Sequence, residues 1–276
     1  MREWLVARNI QLTKSLGQNF LHDAAQLDRI ITAANLSLTD KVLEIGPGLG
    51  PLTELLLARA GQILAIEKDV RLVAVLQERF GASHSAFRTP RFELIQSDAL
   101  EFIKRERRDW RDWKLVANLP YSVASPILVE LALSPQRPKQ MIVTLQWEVV
   151  QRILASAGDP DYGVLTLFLQ LDYTPRANFK IPSSCFFPVP DVDSGCVTLV
   201  RRETPLLPEE LHGTFVKIVK RAFSQRRKMM LKLLKTEWPL EKLQAAFAAL
   251  NISPQERAEK LSLEQFVALT ERLCAI

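Results

Sequence analysis

An apolar run that stops at three glycines spaced two apart limits what this chain can fold into more than any other feature. "KVLEIGPGLG" (Lys41–Gly50) leads into "PLTELLLARA", which has helical period. Gly46, Gly48 and Gly50 free the backbone where a buried strand must turn sharply into a helix. The same alternation recurs downstream. "QILAIE" (62–67), "RFELIQ" (91–96), "WKLVAN" (113–118) and "QMIVTLQ" (140–146) read as buried strands, and "VRLVAVLQERF" (70–80) as a helix between two of them. Strands alternating with helices predict an α/β fold, a mostly parallel sheet covered by helices on both faces. "GVLTLFLQLDY" (163–173) and "GCVTLVRR" (195–202) read as two further strands, which makes seven. Beyond Arg202 only helical period remains, so a boundary is expected in 202–207, with a sheet domain over 1–202 and a small all-α domain over 203–276.

With 276 residues, 47% of them hydrophobic, the chain can bury a full core, and a charged fraction of 24% suits a globular protein in water. No apolar run approaches the roughly 18 residues of a membrane span, and the start of the chain lacks a signal-peptide core, so the expectation is a cytoplasmic protein with no membrane partner. Cys185, Cys196 and Cys274 are too few and too irregular for a disulfide framework or a zinc site. His22, His84 and His212 form no ligand pair, so no metal is expected.

The net charge of +5 is unevenly placed. The first 200 residues carry 22 Lys/Arg and 22 Asp/Glu, the rest 14 and 9. "KIVKRAFSQRRKMMLKLLK" (217–235) holds eight basic residues and no acidic one. As one uninterrupted helix it would gather Lys217, Lys220, Arg221, Lys228, Lys232 and Lys235 on one face, with Ile218, Val219, Ala222, Phe223, Met229 and Leu233 opposite. Such a face suits a phosphate backbone. A solvated helix or a membrane surface would read similarly. "KRERRDWRDW" (104–113) reads as a solvated helix end or loop.

The glycine turn alone is weak evidence, since its spacing is not the dinucleotide fingerprint. Glu67, ending the second strand, can accept both hydroxyls of a ribose held over that turn. Asp98, after the third strand, can accept an adenine amino proton. The fourth strand then delivers Asn118-Leu119-Pro120-Tyr121 to the same edge. Pro120 fixes its φ and biases Leu119 away from helix, so carbonyl oxygens can point outward. The Asn118 side-chain oxygen and a main-chain oxygen can together hold one exocyclic amine, and Tyr121 can lie on the ring's face. Alone, the turn reads equally as an Asx turn that ends a strand.

With these pieces in order, the chain resembles the small-subunit rRNA adenine dimethyltransferases, the KsgA family. The resemblance runs from Lys14 nearly to the C-terminus. It rests on "LGQNFL" (16–21), "EIGPGLG" (44–50), "IEKD" (66–69), "SDAL" (97–100), "NLPY" (118–121), "FFPVPDVDS" (186–194) and "AFSQRRK" (222–228). It implies a Rossmann-like methyltransferase domain and S-adenosyl-L-methionine as methyl donor. Asn19, Leu21, Gly46, Gly48, Glu67, Asp98 and Asn118 would line the donor's site. The implied reaction dimethylates two adjacent adenosines in the 3′-terminal hairpin of small-subunit rRNA, on an immature small ribosomal subunit, by a monomeric enzyme. Asn118, the Leu119 carbonyl, Tyr121 and Phe186 would act on the target base, which would stack between Tyr121 and Phe186. Arg221, Arg226, Arg227 and Lys228 would grip RNA. "SVAS" (122–125) departs from the family pattern and puts the wall of the base pocket in question. Two rival functions share the fold, a large-subunit rRNA methyltransferase and a noncatalytic RNA-binding factor.

Overall fold

The computed structural model describes residues 19–81, 92–225 and 227–275. Its sheet is built from β2 (Lys41–Ile45), β3 (Gln62–Glu67), β4 (Phe92–Gln96), β5 (Trp113–Asn118), β6 (Gln140–Gln146), β7 (Tyr173–Ile181) and β9 (Ser194–Arg201). The order across the sheet is β4-β3-β2-β5-β6-β9-β7. The pairs β2–β3, β2–β5, β3–β4 and β5–β6 are parallel, and β9 runs antiparallel to β6. In β2, β3, β5 and β6 nearly every residue is buried, as expected of strands covered on both faces. Helices α1 (Ala24–Ala34), α2 (Pro51–Leu57), α3 (Val70–Phe80), α4 (Ala99–Glu106) and α5 (Ala124–Ala132) connect or precede these strands. A two-residue strand β1 (Phe20–Leu21) pairs antiparallel with β8 (Phe186–Phe187), outside the main sheet.

Strand order reverses direction at β2, which lies between β3 and β5. Open α/β sheets bind ligands at such a switch, beyond the carboxyl ends of the strands. At that edge Gly46 N–H bonds to the Ile66 carbonyl (2.9 Å) and Ser97 N–H to the Glu67 carbonyl (3.0 Å), which fixes where each loop departs. The opposite edge carries a buried charge cluster. The Asp40 carboxylate accepts from Lys114 Nζ (3.2 Å) and Lys139 Nζ (2.7 Å), and Lys114 also donates to the carbonyls of Ala34 and Asn35. It ties the starts of three strands together.

Among the described residues, those up to Val150 together with Pro175–Arg201 form one compact unit, and Gln151–Thr174 with those from Arg202 onward form a second. The second unit contains α7 (Val164–Gln170), α8 (His212–Ala222), α9 (Met230–Leu234), α10 (Leu240–Ala249) and α11 (Leu263–Cys274). A further helix, α6 (Trp147–Leu154), follows β6.

Two expectations need correction. Residues 164–170, read as strand, are the helix α7, and β7 begins only at Tyr173. Thr166, Leu167, Phe168 and Leu169 are all buried, so this helix is apolar on every side and its sequence shows no 3.6-residue stripe. The basic stretch 217–235 is not one helix either. One helix ends at Ala222 and the next begins at Met230, with turns and bends among the described residues between them. Ser224 Oγ donates to the Arg221 carbonyl, and Arg221 Nε reaches across to the Leu233 carbonyl (3.0 Å) and Thr236 Oγ1 (2.9 Å), fastening the two pieces at an angle that one helix cannot have. The single cationic face therefore does not exist as drawn. In 104–113 the arginines are largely exposed as expected, but Trp110 and Trp113 are buried, with the Arg108 guanidinium near both rings.

Candidate active site

Each glycine of the first turn adopts a backbone that side chains resist. Gly46, Gly48 and Gly50 have φ of 68°, 64° and 83°. A Cβ on Gly48 would sit 2.6 Å from the Phe20 ring, so the position excludes alanine on both grounds. This turn is drawn onto Glu67. The buried carboxylate accepts from Gly48 N–H (3.1 Å), Lys68 N–H (2.8 Å) and Asp69 N–H (2.9 Å). Burial raises its pKa, against the pull of those three donors. Beneath the same turn Glu44 is fully enclosed and accepts from Thr53 Oγ1 (2.8 Å), and burial pushes its pKa up to about 8. It therefore holds its proton at neutral pH.

Asp98 caps α4, accepting from Leu100 N–H and Glu101 N–H, while its other oxygen takes the Lys68 ammonium at 2.9 Å. Burial acts to raise its pKa, but Lys68 and the helix N–H groups prevail and hold it below the usual range. It is a fixed, ionised acceptor.

Asn118 ends β5. Its Nδ2 donates to the Asn19 carbonyl (2.9 Å), while its Oδ1 is buried and makes no hydrogen bond. Buried polar atoms rarely lack a partner, and Asn118 lines a cleft, which makes its unpaired acceptor a candidate for a donor on a ligand. The Tyr121 hydroxyl is pinned to Ser194 Oγ at 2.5 Å, and burial raises its pKa.

These groups line a crevice with neighbouring lobes. One, of about 370 Å³, is lined by residues including Asn19, Gly48, Glu67, Asn118, Leu119 and Tyr121. A larger lobe of about 580 Å³ is lined by Gly46, Lys68, Ser97 and Asp98, with Pro120, Ser122, Val123 and Ile127 among its other walls. A third recess reaches Leu21 and Glu44. The departure at Ser122 therefore borders the Asp98 lobe and not the lobe holding Tyr121. Among the described residues no group of three or more His, Cys, Asp or Glu side chains forms a metal-ligand set.

Most of the residues singled out from sequence thus converge: Asn19, Leu21, Gly46, Gly48, Glu67, Asp98, Asn118, Leu119 and Tyr121. Phe186 does not. Its side chain is 1% exposed and packs with Leu21, Leu27 and Ile30 in the core, so the described geometry offers no ring face opposite Tyr121. Pairing of β8 with β1 turns it inward, and its neighbour Phe187 is the half-buried one. Arg221, Arg227 and Lys228 lie in the helical unit, whereas Arg226 and residues 16–18 of "LGQNFL" fall outside the described residues. Ser194 and Lys68 escaped the sequence reading because each acts through a partner distant in the chain, 73 and 30 residues away.

Residues 9–274 match the family model described as ribosomal RNA adenine dimethylase. The chain belongs to that family. Curated relatives include the ribosomal RNA small subunit methyltransferase A of Gloeobacter violaceus, 42% identical over 264 residues, covering 94% of this chain and 93% of the relative. That of Geobacter metallireducens is 37% identical and covers 97% of each. Among solved structures, a dimethyladenosine transferase from Plasmodium falciparum superposes with a TM-score of 0.74 at 26% identity, covering 91% of this chain and 95% of that one. The 23S rRNA methyltransferase ErmE gives 0.68 at 27% identity, covering 92% and 99%. The family's enzymes are adenine dimethylases, so the crevice at the switch point is the candidate catalytic site.

Proposed function

We propose that this chain transfers methyl groups from S-adenosyl-L-methionine to N6 of two adjacent adenosines in the 3′-terminal hairpin of small-subunit rRNA, acting as a monomer in the cytoplasm on an immature small ribosomal subunit. One observation carries the reading: Asn118, whose buried Oδ1 has no partner, lines the same pocket as the glycine turn and Glu67, beside the lobe lined by Asp98. The chemistry of that donor set fits the methyl donor. Glu67 would accept ribose hydroxyls, Asp98 an adenine amino proton, and Asn19, Leu21, Gly46 and Gly48 would line the rest. Bound there, S-adenosyl-L-methionine supplies an electrophilic methyl group whose leaving group is a neutral thioether.

The protein's task is then alignment and charge placement. Asn118 Oδ1 and the Leu119 carbonyl would each accept one N–H of the target amine, turning its lone pair out of conjugation and toward the methyl group. Oxygen acceptors also favour the positive charge that grows on nitrogen as the bond forms. The proton of the product ammonium is acidic and passes to solvent. After the first transfer one N–H remains, so one acceptor bond is given up before the second. Tyr121, fixed through Ser194, would carry the flipped base, offsetting unstacking that costs a few kcal/mol. Phe186, enclosed in the core, takes no direct part in these steps.

The methyl transfer is assigned to residues 1–202 and the RNA grip to 203–276, through Arg226, Arg227 and Lys228, whereas Arg221 is committed to the Leu233 carbonyl and Thr236. Curated relatives at 35–42% identity are named for the small subunit, which favours that substrate over the large-subunit rRNA of ErmE. Titration with S-adenosylhomocysteine tests the donor site. The wild type should bind in the micromolar range, and Glu67→Ala should bind at least about tenfold more weakly, the loss of about one charge-assisted hydrogen bond. Equal affinity for the two proteins would remove Glu67 from the site.

A further inference from the structure

An asparagine amide is two-faced: rotated by half a turn, it exchanges its acceptor for two donors. The reading of Asn118 as amine acceptor needs Oδ1, not Nδ2, toward the cleft. What enforces that choice is the Asn19 carbonyl, which accepts Asn118 Nδ2–H at 2.9 Å and offers no donor to the flipped amide.

Asn19 is itself held in place. It immediately precedes β1, whose Leu21 lies opposite Phe186 and whose Phe20 lies opposite Phe187. His22 N–H extends the ribbon with a bond to the Cys185 carbonyl (3.0 Å), and Asp23 then caps α1 through Gln26 N–H (2.9 Å). Side chains anchor both strands. The Phe20 ring lies against the bare Cα face of Gly48, while Leu21 and Phe186 are buried with Leu27, Ile30 and Ile31. No step of the proposed chemistry uses the Phe186 ring directly, and its 1% exposure leaves it no surface to offer a base.

Building on the methyltransferase reading, we infer that the Phe20–Leu21/Phe186–Phe187 ribbon is an orienting clamp: it presents the Asn19 carbonyl to Asn118, and Phe186 is a positioning residue that acts through it. The amide orientation is thereby set before any RNA arrives, by a segment some 99 residues away in sequence.

Asn118→Asp tests the clamp through a pH profile. An ionised carboxylate would set an oxygen against the Asn19 carbonyl and repel it. A protonated one can donate its O–H to Asn19 and leave its C=O toward the cleft, restoring the native pattern. Burial and the Glu67 carboxylate that shares its pocket favour the protonated form of such a residue, Glu44 being neutral in this range, while Lys68, in the adjoining lobe, is committed to Asp98. The transfer rate of Asn118→Asp relative to wild type should therefore rise at least about tenfold between about pH 8 and about pH 6. A flat ratio would overturn the clamp.

The Phe186 series gives a second, independent reading. Phe186→Ala should lower kcat at least about tenfold while S-adenosylhomocysteine affinity and KM for small subunits stay within about threefold, and Phe186→Leu should recover most of the loss. Recovery by tyrosine but not leucine, with KM carrying the effect, would mean that the ring stacks on RNA and would contradict the inference. Wild-type transfer is the control: its absence would defeat the methyltransferase reading itself, whereas the variant ratios bear only on the clamp.

Discussion

Glu44 shows how much the site depends on single buried groups. Its pKa is raised to about 8 in the folded protein, against the ordinary carboxylate value of about 4.3 when unfolded. The folded state therefore binds a proton that the unfolded state releases, and the stability held at low pH is lost as pH rises through that window. Glu44→Gln cannot ionise and keeps the Thr53 hydrogen bond. Its stability relative to wild type should climb between about pH 5 and about pH 8, then level off, in denaturant titrations at a series of pH values. A difference that does not vary with pH would mean that Glu44 is ionised in the fold. The sheet edge at which the site residues meet was legible in the sequence because strand ends are legible. Gly46, Glu67, Asp98 and Asn118 each follow an apolar run, and the parallel order puts all four at one edge. The orientation of Asn118 was not legible, since it depends on a carbonyl brought in by a two-residue strand too short to leave any pattern.

At the scale of elements, the buried cluster at the edge opposite the site holds the sheet's register. Asp40 joins Lys114 of β5 and Lys139, which immediately precedes β6. Burial works against its ionisation, but the two ammonium groups and the Ser37 N–H overcome this and hold the carboxyl far below the usual range. Asp40→Asn would leave the Lys114 charge enclosed with carbonyls alone, at a cost on the order of 3 kcal/mol. Because the folded pKa is depressed, the contribution is present above about pH 4 and is lost as pH falls toward the folded value. The gap between variant and wild type should thus be constant near neutral pH and close in acid. A gap of the same size at about pH 3 would contradict the assignment. The elements that misled the sequence reading share one cause. In α7 burial on all sides erases the helical stripe, and in 217–235 an interhelical contact from Arg221 overrides a continuous helical pattern. Neither effect is visible in a window of a dozen residues.

For the whole molecule, the excess of positive charge lies beyond residue 200. With the long helix broken, Arg227 and Lys228 sit in the turn between α8 and α9, and Arg221 is committed to Leu233 and Thr236. Neutralising Arg227 and Lys228 should weaken RNA binding and reduce the slope of log K against log salt by about 0.7 for each phosphate that is no longer neutralised. Neutralising Arg221 should instead lower thermal stability, because its guanidinium fastens two helices. An unchanged salt slope for the first pair would make these charges mere solubilisers. The division of the chain was only partly legible: nothing in Gln151–Thr174 signals that it groups with the helices beyond Arg202.

The central claim is that Asn118 holds an adenosine amine of small-subunit rRNA for two successive methyl transfers. It is tested most directly by mass analysis of nucleosides from unmethylated small subunits incubated with the protein and S-adenosyl-L-methionine. The wild type should place N6,N6-dimethyladenosine at two adjacent positions near the 3′ end, and Asn118→Ala should be slower by about 100-fold or more. Dimethyladenosine confined to large-subunit rRNA, or Asn118→Ala turning over at the wild-type rate, would contradict the account.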